Sequence, residues 1–553
     1  MSARLSRRDF IKVAGLGAAA SAISLIGERY DQTNNGPGLG IISDPVLTVQ
    51  NGTVATTCTR CGLNCGLLVH VADGSITSIS GNPGHPVNRG GICPEIEAIF
   101  ESQKAETRFL GPMLQTRRGS GRYSWIDWGA AESVLARSLL QNSPHETVFI
   151  TGSYPDHLFD FLSVFSRATG GLPVLRFSDL SVGDSSLRLS EASQKIFGSY
   201  QLPYFDTEKA DLVFAFGLNG SEPWLSGASR SLHIIPRKQG TWIHFSSHQP
   251  VIEGYKTEWI PVKSGSEALI ANSFANLVAS INTGISPFGL DHDLDAIASL
   301  TSLDKSEILA LANRFASAER KLAAPGITAL CVPSGFSAAE AILKLNISAN
   351  NLGQIGGVFL LPPAPIYPHN RLASASTLEW KYLIERMKVR KVKTLLVHGN
   401  HHWAEAEMWD EFMDALSSVK RVISFSSYMD ELSRNADYVL PDHNILESWG
   451  YQKVIAGSDR VVISGIQPVY YPFHNTRATI NVLLNAVQKA GGKQAAALPY
   501  QSESDFLQGA LQQLDRPTEV LESQRKYPLG SRFFEQGGWW PSQATLFPPV
   551  SII

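Results

Sequence analysis

Short apolar runs alternate along this chain with longer segments in which apolar residues recur every three or four positions. Segments of the longer kind, such as 157–168 and 267–280, have helical periodicity. The short runs are typical of buried strands and comprise residues 147–151, 211–216, 240–245, 327–332, 394–398 and 421–425. Strands that alternate with helices of this length form βαβ units. The pattern therefore predicts an α/β fold with mainly parallel sheets.

Glycine and asparagine follow two of these predicted strands. Gly217 and Asn219 come directly after 211–216, and Gly399 and Asn400 come directly after 394–398. Ligands on parallel sheets bind at the carboxyl ends of the strands, so these four residues mark candidate binding loops. Taken alone, a glycine after a strand most often serves only as a turn residue.

The first part of the chain has the pattern of an export signal. Arg7 and Arg8 stand in the sequence SRRDF and precede an apolar, small-residue-rich stretch at 13–26. Twin arginines before a mild hydrophobic stretch indicate the Tat route, which exports folded proteins. The alternative is a chance Arg-Arg pair before a short amphipathic helix. We assign residues 1–45 to this signal and a linker, outside the fold.

Cysteine spacing supplies the strongest chemical signal. Four of the five cysteines, Cys58, Cys61, Cys65 and Cys93, have the spacing C-x2-C-x3-C-x27-C. Three thiolates within one short loop and a fourth from a separate turn are typical of a [4Fe–4S] cluster. Two alternatives stay open: a zinc site, although such sites are usually built from two C-x2-C pairs, and two disulfides. The fifth cysteine, Cys331, falls in the apolar run 327–332, and we expect it to be a packed core thiol.

Composition narrows the function further. The chain has 553 residues, 43% of them hydrophobic and 18% charged, with a net charge of −3. This length allows three or four domains, and the near-neutral charge offers no basic field for nucleic acid. A C-x-x-C-H sequence does not occur, which excludes a c-type haem attachment site.

Taken together, these motifs resemble the catalytic subunits of the molybdopterin oxidoreductases that carry a [4Fe–4S] cluster and bis-guanine-dinucleotide molybdenum or tungsten. Beyond the cysteines and the export signal, the resemblance rests on six segments in the family's order, at 107–112, 125–131, 210–219, 263–269, 350–357 and 435–450. It implies that Gly217, Asn219, Gly265, Gly399 and Asn400 lie in loops that hold, or once held, the pterin dinucleotides.

The resemblance also implies a domain organisation. We expect a [4Fe–4S] domain at 46–105, an α/β domain made of 106–145 and 321–490, and a Rossmann-like α/β domain at 146–320 inserted into it. Residues 491–553 would form a C-terminal tail, without the β-barrel-like domain that closes the pterin site in the family.

Departures from the family pattern bear on the molybdenum site. Only about 100 residues follow Gly450, fewer than the family's closing domain needs. Many members have a lysine soon after the fourth cluster cysteine, whereas here Cys93 is followed by Pro94-Glu95. The segment 243–250 lacks the Asp-Pro-Arg that often ends a dinucleotide-binding strand in the family, and no residue clearly corresponds to the molybdenum ligand. In these respects the chain resembles the large subunits of alternative complex III and of the quinone-reductase complex of sulfate reducers.

We therefore favour an iron–sulfur electron-transfer subunit of a membrane-associated respiratory complex, with the molybdenum site lost and no independent substrate turnover. Its partners would be iron–sulfur, cytochrome or quinone-interacting membrane subunits. We expect it in the periplasm or at the outer face of the cytoplasmic membrane. One alternative is an active molybdenum or tungsten subunit completed by a separate chain. Another is a structural subunit in which the cluster only stabilises the fold.

Overall fold

The computed structural model describes residues 46–59, 64–93, 95–152, 155–176, 180–218, 222, 224–225, 240–249, 256–284, 294–301, 303–360, 366–367, 375–399, 408–454, 462–472, 474–512 and 551–552. The strands in chain order are β1 (Gly52–Thr57), β2 (Gly66–Ala72), β3 (Ser75–Gly81), β4 (Met113–Gln115), β5 (Tyr123–Trp125), β6 (Thr147–Thr151), β7 (Leu175–Arg176), β8 (Pro203–Phe205), β9 (Leu212–Phe216), β10 (Thr241–Ser246), β11 (Lys256–Pro261), β12 (Lys321–Pro325), β13 (Val358–Leu360), β14 (Thr394–His398), β15 (Arg421–Ser424), β16 (Tyr438–Val439), β17 (Gly450–Val454), β18 (Val462–Ile466) and β19 (Ser551–Ile552).

The helices lie between these strands and around the sheets that they form. In chain order they are α1 (Glu95–Glu101), α2 (Trp128–Gln141), α3 (Asp156–Thr169), α4 (Leu180–Phe197), α5 (Glu267–Thr283), α6 (Leu294–Leu300), α7 (Lys305–Ser317), α8 (Ile327–Leu330), α9 (Gly335–Ser348), α10 (Thr377–Lys388), α11 (Trp409–Leu416), α12 (Glu431–Arg434), α13 (Thr479–Ala490), α14 (Gly492–Ala496) and α15 (Glu503–Gln512).

The largest sheet has seven strands in the order β5-β4-β16-β15-β14-β6-β7. The five strands from β16 to β7 run parallel, and β4 and β5 add an antiparallel edge. Chain order reverses between β6 and β14, because β6 leads to β7 on one side and β14 leads to β15 on the other. The crevice at the carboxyl ends of β6 and β14 is therefore the topological switch point, where open α/β sheets bind ligands.

A second parallel sheet has the order β11-β10-β9-β12. Its core contains stacked and edge-on phenylalanines from β9, β10, α5 and α7. The predicted α/β class with mainly parallel sheets is confirmed. The inserted unit differs from the sequence-predicted range 146–320 at both ends. β6 and β7 belong to the seven-stranded sheet, so the unit begins after Arg176, and β12 pairs with β9, so it continues beyond residue 320. The antiparallel pair β8 and β13 extends it to Leu360.

The prediction of a strand at 327–332 is wrong. Pairing with β9 ends at Pro325, and Ile327–Leu330 forms the short helix α8, which buries Ile327 and Leu330 on one face. Cys331 caps this helix and is exposed, so the prediction of a packed core thiol is also wrong.

Candidate functional site

Cys58 and Cys65 face each other across the end of the β1–β2 hairpin. The strands pair in register up to Thr57 and Gly66, and the Cys58 N–H then donates to the Cys65 carbonyl at 2.8 Å. This bond closes the loop between the first and third cysteines of the motif. The second cysteine, Cys61, belongs to this loop and lies outside the described residues. The hairpin thus brings together two of the predicted ligands and holds both ends of the loop.

Asn88 brings the fourth cysteine's segment to the same place. Its Nδ2 donates to the carbonyls of Gly66, at 2.9 Å, and Gly91, at 2.6 Å, while its Oδ1 accepts from the Gly66 N–H at 3.0 Å. Gly66 follows Cys65, and Gly91 precedes Cys93 by two residues. One buried side-chain amide therefore joins the segments that carry Cys65 and Cys93.

Glycine is required where these segments meet. A Cβ on Gly66 would lie 2.6 Å from the His85 ring, and a Cβ on Gly81 would lie 2.5 Å from the Gly90 and Gly91 backbone. His85 is almost fully buried, and burial lowers its pKa to about 4, so the ring is neutral at neutral pH. Its Nε2 lies 3.1 Å from Ser464 Oγ, which is also 2.7 Å from Thr57 Oγ1. The β17–β18 hairpin thereby contacts the residue that precedes Cys58.

The cysteine site suits an iron–sulfur cluster. Cys58 and Cys65 belong to an apolar cluster with Leu67, Ile96 and Val469 among its buried members. A shell of this kind limits the access of water, and thiolates are the donors that [4Fe–4S] clusters use. Cys58 and Cys65 thus suit the group that the cysteine spacing predicts, whereas Cys93 is exposed, and among the described residues no three His, Cys, Asp or Glu side chains are grouped as metal ligands.

Carboxylates of this chain bind two buried cations at the switch point. Arg176 ends β7, and its Nη2 lies 2.7 Å from Oδ1 of Asp156, the first residue of α3. Lys453 of β17 places Nζ 2.6 Å from Asp160 Oδ1, with both side chains almost fully buried. Tyr451 donates to Asp160 Oδ2 at 2.7 Å, and burial with the Asp160 charge raises the pKa of Tyr451 well above its usual value. Each of these two buried cations is thus paired with a carboxylate of this chain.

A histidine–carboxylate pair lies at the end of β14. His398 Nε2 is 2.8 Å from Asp442 Oδ2, which also accepts from the Thr479 hydroxyl at the start of α13. Burial disfavours the charged form of Asp442, whereas the contact with His398 favours it. The net effect lowers the pKa of Asp442. Gly399 follows with φ of +87°, as a turn after a strand requires. Asn400 lies outside the described residues, as do Asn219, Arg7 and Arg8.

The two glycine loops of the second sheet differ. Gly217 has φ of +62°, and its missing Cβ faces the Ala329 N–H and Thr328 Oγ1 at 2.6 Å, so the chain itself fills the space. Gly265 has φ of +84°, and a Cβ there would meet only Ser334 Oγ at 3.8 Å. Beside it, buried Glu267 has an unpartnered Oε2, and burial raises the pKa of this carboxyl. The turn at Gly265 therefore leaves space at the carboxyl edge of the second sheet, whereas the turn at Gly217 is filled by the chain itself.

We expect Gly217→Ala to destabilise the protein more than Gly265→Ala. Both substitutions place a Cβ on a left-handed backbone, at about 1–2 kcal/mol each. Gly217→Ala adds overpacking against rigid backbone, typically about 1–3 kcal/mol. Chemical denaturation of the two variants measures the difference in the free energy of unfolding. Equal losses would show that the contact with Ala329 does not constrain this turn.

Sequence reasoning missed Asn88, Gln452 and the β17–β18 hairpin. Gln452 Nε2 donates to Asn64 Oδ1 at 2.9 Å, inside the cysteine loop, and its side chain is fully buried. The sequence has short strand-like runs at 450–454 and 462–466. Polar residues occupy buried positions in both, so neither run has the apolar pattern of a buried strand. Only the tertiary partners of these residues explain their burial.

Comparison with known proteins agrees with this geometry. Residues 52–95 match the Molybdopterin oxidoreductase Fe4S4 domain, and residues 108–485 match the Molybdopterin oxidoreductase family. The menaquinone reductase molybdopterin-binding-like subunit of Nitratidesulfovibrio vulgaris is 26% identical over 91% of this chain and 74% of its own length.

A second curated relative is covered over slightly less than two thirds of its own length. The thiosulfate reductase molybdopterin-containing subunit of Salmonella typhimurium is 19% identical over 80% of this chain and 64% of its own length. Acetylene hydratase from Pelobacter acetylenicus shares the fold, with a TM-score of 0.65 at 16% identity over 85% of this chain and 73% of that one. With the family match spanning most of its length, this chain belongs to the molybdopterin oxidoreductase family.

Proposed function

We propose that this chain is the iron–sulfur electron-transfer subunit of a membrane-associated respiratory complex, and that it no longer uses the family's molybdenum site. A [4Fe–4S] cluster bound by Cys58, Cys61, Cys65 and Cys93 would supply one-electron transfer. The apolar shell around Cys58 and Cys65 would keep water from it, and the Asn88 contacts would hold its ligand segments together. Relatives named as subunits of reductases support the assignment.

The observation that carries the proposal is the pairing of buried cations at the switch point. Arg176 and Lys453 neutralise Asp156 and Asp160, rather than facing the crevice as free charges. Breaking either pair to bind a phosphate would leave a buried carboxylate uncompensated, which is costly. The filled turn at Gly217 supports the same conclusion.

A second candidate is a molybdenum or tungsten subunit completed by another chain. The open turn at Gly265 and the unpartnered Glu267 oxygen favour it, because a dinucleotide could supply the missing hydrogen bond. A third candidate, in which the cluster is only structural, is supported by the extensive contacts of the cysteine segments with β17 and β18.

Metal analysis and a redox titration of the full-length protein, purified without oxygen, separate the three. We expect stoichiometric iron and sulfide, no molybdenum or tungsten above trace, and a cluster signal in electron paramagnetic resonance that titrates reversibly. Stoichiometric molybdenum or tungsten would support the second candidate. A cluster that never reduces within the range of quinones and cytochromes would support the third.

Location and partners belong to the same proposal. The twin arginines Arg7 and Arg8 support export in the folded state, with the protein at the outer face of the cytoplasmic membrane. Within the described part of the chain, the helices are all too short or too polar to cross a membrane. Attachment would then occur through quinone-interacting, cytochrome or iron–sulfur subunits.

A further inference from the structure

One rung of the β17–β18 hairpin carries two polar side chains that reach the cysteine loop. Gln452 and Ser464 are directly paired across the hairpin, so their side chains lie on the same face of it. Ser464 contacts Thr57, which precedes Cys58, and His85, which packs on Gly66. Gln452 contacts Asn64, which precedes Cys65. This pair of residues, about 400 positions away in the chain, thus contacts both ends of the loop.

The hydrogen-bond partners of Gln452 and Asn64 determine the orientation of their side-chain amides. A backbone N–H can only donate, and the Asp156 N–H bonds to Gln452 Oε1. The Gln452 NH₂ group therefore lies toward Asn64, and Asn64 must present its oxygen to accept, at 2.9 Å. Asp156 is itself held, because its carboxylate accepts from Arg176 at 2.7 Å and from the Lys453 N–H at 2.7 Å. The orientation of Asn64 is thus set by a rigid series of contacts in the α/β domain.

Asn64 is in the left-handed region, with φ of +52°, and is almost fully buried. Such a backbone suits asparagine or glycine and depends on its surroundings to persist. Asn64 directly precedes Cys65, so its conformation determines where the Cys65 N–H points. Amide N–H groups near a cluster favour its more negative, reduced state and raise the reduction potential.

From these contacts we propose that Gln452 is a positioning residue for the cluster, and that its hydrogen bond to Asn64 helps set the reduction potential. The inference rests on the proposed electron-transfer function. Without the Gln452 donor, Asn64 and the Cys65 N–H that follows it are held less closely, and the reduced cluster loses stabilisation. The loss of one hydrogen bond changes the ratio of reduced to oxidised cluster by up to about tenfold.

The test compares three variants of the full-length, cluster-loaded protein. Gln452→Met keeps the side-chain length and removes both hydrogen bonds. Gln452→Glu keeps the acceptor for the Asp156 N–H but cannot donate to Asn64. Gln103→Met is the matched control, because buried Gln103 donates to the side chain of another asparagine, Asn444, and to the Ile99 carbonyl, and neither acceptor belongs to the cysteine loop. The readouts are the midpoint potential and the line shape of the reduced cluster in electron paramagnetic resonance.

We expect both Gln452 variants to lower the midpoint potential and change the line shape, and Gln103→Met to change neither. A tenfold change in the ratio corresponds to about 59 mV for a one-electron couple. Potentials equal to wild type in the Gln452 variants would overturn the proposal, as would an equal shift in Gln103→Met. If Gln452→Met does not fold, Asn64→Gly decides in its place, since glycine suits the left-handed backbone and removes the acceptor of the same hydrogen bond without adding a charge. A wild-type cluster that does not titrate would instead overturn the electron-transfer function.

Discussion

Replacing Cys93 by serine is expected to abolish stoichiometric cluster binding. The Asn88 contacts place this segment against the one that carries Cys65, and under the proposed assignment Cys93 is the ligand that comes from outside the β1–β2 hairpin. Iron–sulfur clusters are held by thiolates, and a serine hydroxyl is largely protonated at neutral pH and a poor substitute. Iron and sulfide content, with the visible absorption of the purified protein, measures the loss.

Cys331→Ser is the matched control for this prediction. The substitution is the same, and Cys331 is the one cysteine outside the predicted motif, exposed at the end of α8. We expect its iron content and spectrum to equal those of the wild type. Full iron content in Cys93→Ser, or a loss of iron in Cys331→Ser, would contradict the ligand assignment.

The parallel sheets could be predicted because their strands are apolar on both faces. β6 and β14 are buried at every residue, and the sequence pattern places both of them at the observed residues. The same criterion fails at 327–332, where the apolar run follows a glycine and satisfies its backbone as a helix. An apolar run of six residues does not distinguish these outcomes, because a short buried helix has the same composition.

The sequence predicts which cysteines form the site but not the contacts that bring their segments together. Spacing alone indicates four thiolates around one cluster, whereas the contacts of Asn88, Gln452 and Ser464 depend on segments that are distant in sequence. From the sequence alone, these polar side chains would be expected to lie in solvent. In β17, Gln452 and Lys453 are both buried, which alternation of polar and apolar residues cannot indicate.

The glycine loops show a further limit. A glycine after a strand predicts a turn at Gly217 and Gly265 alike, and both have positive φ. What separates them is the neighbouring chain, since Thr328 and Ala329 occupy the space at Gly217 while little occupies it at Gly265. The distinction between a packed turn and an open one bears on ligand binding, and it depends on tertiary contacts alone.

Lys453→Met is expected to cost about 3–5 kcal/mol of unfolding free energy, because it leaves the Asp160 charge buried without its cation. Lys453 Nζ lies 2.6 Å from Asp160 Oδ1, and the two side chains are 1% and 0% exposed. The double variant Lys453→Met with Asp160→Asn removes both charges, and the asparagine oxygen can still accept from Tyr451. We therefore expect it to recover most of the loss.

Chemical denaturation of the two single variants and the double variant gives the coupling energy of the pair. Lys305→Met is the matched control, because Lys305 binds Asp295 at 2.6 Å on the surface, with 53% and 77% of the side chains exposed. Its loss should cost at most about 1 kcal/mol. A strong coupling energy would mean that this buried pair is part of the fold at the switch point and that Lys453 binds Asp160 rather than a ligand. A Lys453→Met variant as stable as wild type would instead mean that the lysine is free to meet an anionic ligand there.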